Sequence, residues 1–352
     1  MRAAISLADQ HRAPVFPATH SLLATGPLLE FVCDTYDVGR PVACSLLRPS
    51  WNDTYLIQTT TGRYILRIYG ADWHTLPEIE YELELLLHLA GADVSVATPI
   101  ARTDGHLLTP LRAPEGTRYA TLFIHASGRV PKPFPIGDTV QSRRFGEALA
   151  LLHTGADTFQ SSRTRPSRDL AVYLDRPLET IRAFLAHRPN DLADLERLAE
   201  EIRERIAELT RSGLSWGVIH GDAFSANARI TDDGHVTWYD FDFCGLGWRS
   251  GDLSGAFFCA REAKDAGLWH AFLAGYQEHR LVSAPDLAAI PVLLTAGWIW
   301  SLGVHISAKG PIHGFEWFDD AGITTRLNWI SQSASYMREA TASTVEGITR
   351  SE

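Results

Sequence analysis

An aspartate at 222, an asparagine at 227 and an aspartate at 240 stand in two short runs, Val218-Ile219-His220-Gly221-Asp222-Ala223-Phe224-Ser225-Ala226-Asn227 and Tyr239-Asp240-Phe241-Asp242. A carboxylate can orient an attacking hydroxyl and accept its proton. An amide oxygen and a second carboxylate can share a hard cation whose remaining ligands are phosphate oxygens and water. Together these are the polar parts that phosphoryl transfer needs.

The sequence between them brings the parts together. Residues 228–230 and 235–239 read as strands, and Asp232-Asp233-Gly234 is a turn signal. Folding that hairpin places Asn227 and Asp240 at its open end, with Asp222 on the loop just before it. Competing motifs fail on context. Gly213-Leu214-Ser215-Trp216-Gly217 has the spacing of a hydrolase elbow, but a charged helical stretch precedes it and a strand follows, the reverse of what that motif requires. No P-loop pattern and no H-E-x-x-H pattern is present.

Composition narrows the class. The chain has 352 residues and a formal net charge of −10, which disfavours a nucleic-acid groove. Cys33, Cys44, Cys244 and Cys259 form no C-x-x-C pair and read as thiols in a reducing cytoplasm. The N-terminus lacks a sustained apolar signal core. Residues 287–306 carry no formal charge, but Pro291, Thr295, Ser301 and His305 interrupt the run, so a buried core helix is expected there and no membrane span. The only lysines are Lys132, Lys264 and Lys309.

The positioning elements follow from periodicity. A helix is predicted over 22–36, strands over 54–58 and 63–69, a helix over 77–90, and strands over 107–111 and 119–124. Ser127-Gly128 and Pro131-Lys132-Pro133 then punctuate the chain, and beyond them the pattern is mainly helical. The expected organisation is an arm at 1–21, a strand-rich lobe at 22–126 and a helical lobe at 127–352. On the helix at 77–90, Ile79, Leu83, Leu86 and Leu89 form one stripe that includes Glu82. A carboxylate on a core-facing stripe wants a cation, and Arg67, which shares a strand face with Ile65 and Tyr69, is the natural candidate.

These residues resemble the aminoglycoside phosphotransferase and choline-kinase-like family, in its homoserine-kinase and stress-response-kinase-like branch. The resemblance spans about 22–335 and rests on His220-Gly221-Asp222 with Asn227, on Asp240-Phe241-Asp242, and on the weaker runs at 146–153, Gly251-Asp252-Leu253 and Gly275-Tyr276. It implies an α+β, bilobal protein-kinase-like fold, with a small antiparallel-sheet N-lobe, a larger helical C-lobe and ATP between them. By position, Asp222 is then the catalytic base, and Asn227 and Asp240 hold Mg²⁺. Asp242 extends the metal or substrate shell or hydrogen-bonds the loop. Asp252 and His220 brace the loop. The backbone of Phe123, Ile124 and His125 meets adenine, and Ser50 and Asn52 lie in the phosphate-covering loop.

Two departures from the family pattern stand out. No lysine precedes position 132, so Arg67 with Glu82 takes the place of the usual lysine–glutamate pair. The loop at 47–54 contains no glycine. The implied activity is ATP- and Mg²⁺-dependent transfer to a hydroxyl of a small molecule, either an antibiotic or a metabolite. A Ser/Thr kinase acting on a peptide and a nucleotide-binding scaffold are the alternatives. Trp298, Trp300, Glu316, Trp317, Asp319 and Asp320 are candidate walls of the acceptor pocket.

Overall fold

The computed structural model describes residues 16–131, 137–307 and 319–340. Its contacts divide it into two compact units, Met1–His74 with Ile100–Leu122, and Thr75–Pro99 with Phe123–Glu352. The first is sheet-rich and the second mainly helical, an α+β chain. Glu316, Trp317, Lys132 and Lys309 lie outside the described residues.

The first unit opens with α1 (Thr25–Thr35), followed by β1 (Pro41–Arg48), β2 (Asp53–Thr59) and β3 (Arg63–Ile68). β1, for which periodicity predicts no element, pairs antiparallel with β2, and β2 with β3. Its half-exposed pattern explains the omission: no clean alternation separates its two faces. With β4 (Pro99–Ile100), β5 (Thr109–Ala113) and β6 (Gly116–Ile124), the sheet runs β1-β2-β3-β6-β4, and β5 pairs with β6. Leu28 and Val32 of α1 pack with Tyr55, Ile57, Leu66, Ile68, Ala120 and Leu122 in its core.

A fully buried arginine organises this core. Arg118 donates from Nε to Tyr69 O (2.8 Å), from Nη2 to Ile68 O (3.0 Å) and from Nη1 to Ser21 O (2.9 Å). Its Nη2 also lies 2.9 Å from Asp53 Oδ2. The end of the N-terminal arm is thereby fastened, since Ser21 also donates from N and Oγ to Glu115.

In the second unit, α2 (Leu76–Gly91) buries Ile79, Glu82, Leu83, Leu86 and Leu89 together, as the stripe predicts. Then come α3 (Thr139–Gly155), a π-turn at Ala171–Asp175, α4 (Arg176–Phe184) and α5 (Pro189–Arg211). β7 (Trp216–Ile219), β8 (Ala228–Ile230), β9 (Val236–Trp238) and β10 (Gly245–Trp248) follow. β8 and β9 form the predicted hairpin, and β10 returns antiparallel to β7. The chain closes with α6 (Ser250–Glu262), α7 (Ala266–Gln277), α8 (Ala284–Ser307) and α9 (Asp320–Glu339).

α8 is long and apolar enough to cross a membrane, with a mean hydropathy of 1.8. It is a core helix instead. Ala289, Val292, Leu293, Ala296, Ile299 and Leu302 pack among residues of α4, α5 and α9. Asp286 in its first turn accepts from Ser215 N (2.8 Å), which ties the backbone of the rejected hydrolase motif to α8.

α3 and α7 cross almost in contact. A Cβ at Gly146 would lie 1.9 Å from Phe272 O, and one at Gly275 would lie 2.0 Å from Arg143 O. Backbone is rigid at such a crossing, so the added methyl cannot be absorbed by a side-chain turn. Gly146→Ala is expected to cost about 1–3 kcal/mol or more. Gly297→Ala in α8, where a Cβ meets nothing within 4 Å, is expected to gain about 0.5–1 kcal/mol. Urea denaturation of the two variants checks this, and equal midpoints contradict the close crossing.

Candidate active site

The loop joining β7 to β8 carries Asp222, and a buried carboxylate beneath it sets its shape. Asp252, in the first turn of α6, accepts from His220 N (2.7 Å) through Oδ2 and from Gly221 N (2.9 Å) through Oδ1. His153, in the last turn of α3, donates from Nε2 to Asp252 Oδ2 (3.0 Å). Its Nδ1 accepts from the Tyr276 hydroxyl on α7 (2.8 Å). The glycine contact between α3 and α7 thus brings His153 and Tyr276 to Asp252. Burial alone would raise the pKa of Asp252, but the bond from His153, the electrostatic influence of His153 and His220, and the His220 N–H hold it below the ordinary carboxylate value.

His220 shapes the next step of the loop. It is fully buried; Nε2 donates to Tyr239 O (3.0 Å) and Nδ1 accepts from Asp222 N (3.3 Å). Those roles fix the neutral tautomer, and burial lowers its pKa. Its function is to tie Asp222 to the end of the hairpin. Gly221 has φ of +81°, and a Cβ there would come within 2.1 Å of Phe243 O, so only glycine fits.

Asn227 connects the two halves of the motif. Its Nδ2 donates to Asp222 Oδ2 (2.6 Å) and Asp222 O (3.0 Å). Its backbone O accepts from Tyr239 N (3.0 Å), the residue before Asp240. With its nitrogen committed to Asp222, the amide oxygen is the atom left for a cation. Asp240 follows in the left-handed region, φ +64°, unusual for a residue with a side chain. Its charge acts on Asp222. The structure therefore brings Asp222, Asn227 and Asp240 together as the sequence suggested.

Burial, then the charge of Asp240, pushes the Asp222 carboxyl up to about 7, against the bond from Asn227 and the charge of Arg168. Among the described residues, no cluster of three His, Cys, Asp or Glu side chains forms a metal cage. The donors present are one amide oxygen and one carboxylate, a set that suits Mg²⁺ completed by phosphate oxygens and not an all-protein site.

The other sequence candidates divide between the units. Glu82 and the stretch Phe123, Ile124 and His125 belong to the second. Glu82 is fully buried. Burial disfavours the charge of nearby Arg165, but Cys244, Glu82, Asp242 and Glu78 more than offset it. Arg165 donates to Glu78 O (2.7 Å) and to Asp242 O, fastening the Asp-Phe-Asp segment to α2. The Ile124 N–H is committed to Thr98 O (3.0 Å). Arg67, Ser50 and Asn52 belong to the first unit. Arg67 is buried with its guanidinium 5.3 Å from the Tyr69 ring centre, and Asn52 Oδ1 accepts from Gly70 N (3.1 Å).

Of the suggested pocket walls, Trp300 packs edge-on to Phe243, ring centres 4.7 Å apart, immediately after the Asp-Phe-Asp segment. Asp319 caps α9 through Gly322 N (2.7 Å), and Asp320 meets His187 (3.3 Å) at the surface. Sequence reading missed Arg165 and Arg168. Two arginines three apart in a loop carry no periodic signal, and only tertiary structure places them beside the motif.

Residues 47–288 match the phosphotransferase enzyme family (APH). The chain belongs to that family. It is similar to an uncharacterized protein of Deinococcus radiodurans, 39% identical over 298 residues, covering 82% of this chain and 84% of that one. It is also similar to a homoserine kinase of Azorhizobium caulinodans, 32% identical over 268 residues, covering 73% and 78%. Among solved structures, an amicoumacin kinase in complex with AMP-PNP and Ca²⁺ superposes with a TM-score of 0.72 at 18% identity, covering 88% of this chain and 93% of that one. The fold is that of the protein-kinase-like phosphotransferases, and this member of the family is a kinase with a hydroxyl as acceptor.

The raised Asp222 pKa gives a stability signature. A carboxyl whose folded pKa lies above its unfolded value contributes stability at low pH that is lost as pH rises from about 4 through about 7. Without divalent cations, Asp222→Asn is expected to flatten this part of the profile and to be the more stable form at pH ~8. Urea midpoints of both proteins across that range check it, and parallel profiles contradict the buried-charge reading.

Proposed function

We propose that this kinase transfers the γ-phosphate of ATP, with Mg²⁺, to a hydroxyl of a small molecule, using Asp222 as base and Asn227 and Asp240 as cation ligands. The observation that supports this best is the Asn227 amide bonded to Asp222, with the charge of Asp240 acting on that same carboxyl. Asn227 holds one oxygen of Asp222 at 2.6 Å and leaves the other to face an acceptor. The AMP-PNP and Ca²⁺ of the amicoumacin kinase complex support a nucleotide with a divalent cation. The homoserine kinase and the amicoumacin kinase support a small acceptor.

When bound, Mg²⁺ would offset charge on the nucleotide phosphates. The chain's own residues do the remainder. Asp222 orients the acceptor hydroxyl as its oxygen bonds to the γ-phosphorus. The bond from that phosphorus to the bridging oxygen breaks, ADP leaves, and the hydroxyl proton passes to Asp222. A base with a pKa near neutrality suits that exchange at physiological pH. Arg67, with Ser50 and Asn52, is assigned to the nucleotide phosphates, Glu82 to the support of Arg67, and the backbone of Phe123, Ile124 and His125 to the base.

Asp222→Ala is expected to lower kcat by at least about a thousandfold while leaving the Kd for Mg-ATP within about threefold of wild type, since the assigned nucleotide contacts lie elsewhere. Steady-state kinetics with calorimetric ATP binding checks both, and near-normal turnover contradicts the role of Asp222.

A further inference from the structure

Among the described residues, the buried Arg118 and Arg249 place both terminal nitrogens of the guanidinium against acceptors, whereas Arg168 leaves a whole edge unmet. Arg118 meets three carbonyls and a carboxylate. Arg249 meets Ser215 Oγ, Trp216 O and Asp157. Arg168 is only 6% exposed, yet its Nε and Nη2 have no hydrogen-bond partner. Among the described residues no carboxylate pairs with it. A guanidinium does not escape by deprotonating, so the cost of the dry donors stands.

The site around it is built. The Arg168 N–H is bonded to Leu246 O (2.6 Å), which pins its backbone beside β10. Gly247 leaves room for its stem, since a Cβ there would come within 2.9 Å of Arg168 Cβ. The guanidinium carbon lies 4.0 Å from the ring centre of Trp300, 4.9 Å from Tyr173 and 5.5 Å from Phe243. These faces hold the cation in place, but a ring cannot accept the in-plane bonds that Nε and Nη2 offer. Phe243 follows the Asp-Phe-Asp segment directly, and the charge of Arg168 reaches Asp222. The cation is therefore fixed close to the transfer centre with one edge of its fork unmet.

Nε and Nη2 form the edge of a guanidinium that engages a carboxylate through two parallel bonds. We propose that Arg168 anchors a carboxylate of the acceptor, so that the substrate is a hydroxy acid, amino acids included, whose hydroxyl is presented to Asp222. This rests on the phosphotransfer reading above. Arg168 would act by holding the acceptor and would take no part in bond exchange; the proton still passes to Asp222 and ADP still leaves.

Matched acceptors test it. Serine, threonine, homoserine and glycerate are compared with the alcohols left when each loses its carboxylate: aminoethanol, the two corresponding aminopropanols and ethylene glycol. Each is assayed with Mg-ATP for phosphorylated product and for ADP release. Wild type should favour the acid of at least one pair. Arg168→Gln should cut the acid-to-alcohol ratio of kcat/KM on the order of 100-fold, and Arg168→Lys should restore part of it. Thermal melts of both variants exclude misfolding, and a general packing defect would lower both members of a pair without changing their ratio. Wild type that uses no acid, or uses acid and alcohol equally, overturns the anchor, as does a ratio unchanged in Arg168→Gln. If ADP is also never released with any acceptor or with water, the phosphotransfer reading falls as well.

Discussion

The Asp252 carboxylate is the interaction on which the rest of the site depends. It is buried, and it accepts from two consecutive backbone N–H groups and from His153. Each of those donors would otherwise be dry, at about 1–3 kcal/mol apiece. The loop from His220 to Asp222 therefore has one arrangement that satisfies its backbone, and Asp222 points where that arrangement puts it. The same anion needs a donor from α3 and, through His153, a hydroxyl from α7. Those two helices reach it because Gly146 and Gly275 let their backbones touch. A packing constraint between helices and a hydrogen-bonding constraint in a loop are thus one constraint.

Negative charge accumulates around this loop, and the protein handles each carboxylate differently. Asp252 is kept ionised by hydrogen bonds. Asp242 lies in a segment fastened by Arg165, which also answers Glu82. Burial, and after it the charge of Asp240, raises the pKa of Asp222. A bound cation would lower the cost of the charged Asp222 carboxylate. A carboxyl raised in this way suits proton exchange, and the braced Asp252 beneath it is shifted the opposite way.

Much of this was legible in the residues and some was not. The hairpin after Asn227 could be read because its turn signal and flanking strands are local. So could the stripe that buries Glu82, because helical periodicity is local. The motif assigns Asp252 to bracing, but His153 stands 99 residues from Asp252 and 123 from Tyr276, separations that no local window sees. β1 escaped notice because both its faces are half-exposed. Arg168 looked like any loop arginine. Its meaning lies in what surrounds it, three aromatic rings drawn from the π-turn, the segment after Asp240 and α8.

We propose that Asn227 and Asp240 form half a cation site, completed by a nucleotide and supported by a loop that Asp252 holds. Electron paramagnetic resonance of Mn²⁺, titrated with and without ATP, tests it most directly. Tight Mn²⁺ binding is expected only when nucleotide is present, weakened in Asp240→Ala and in Asn227→Ala. Mn²⁺ bound equally well without nucleotide, or unaffected by loss of Asp240, would contradict it.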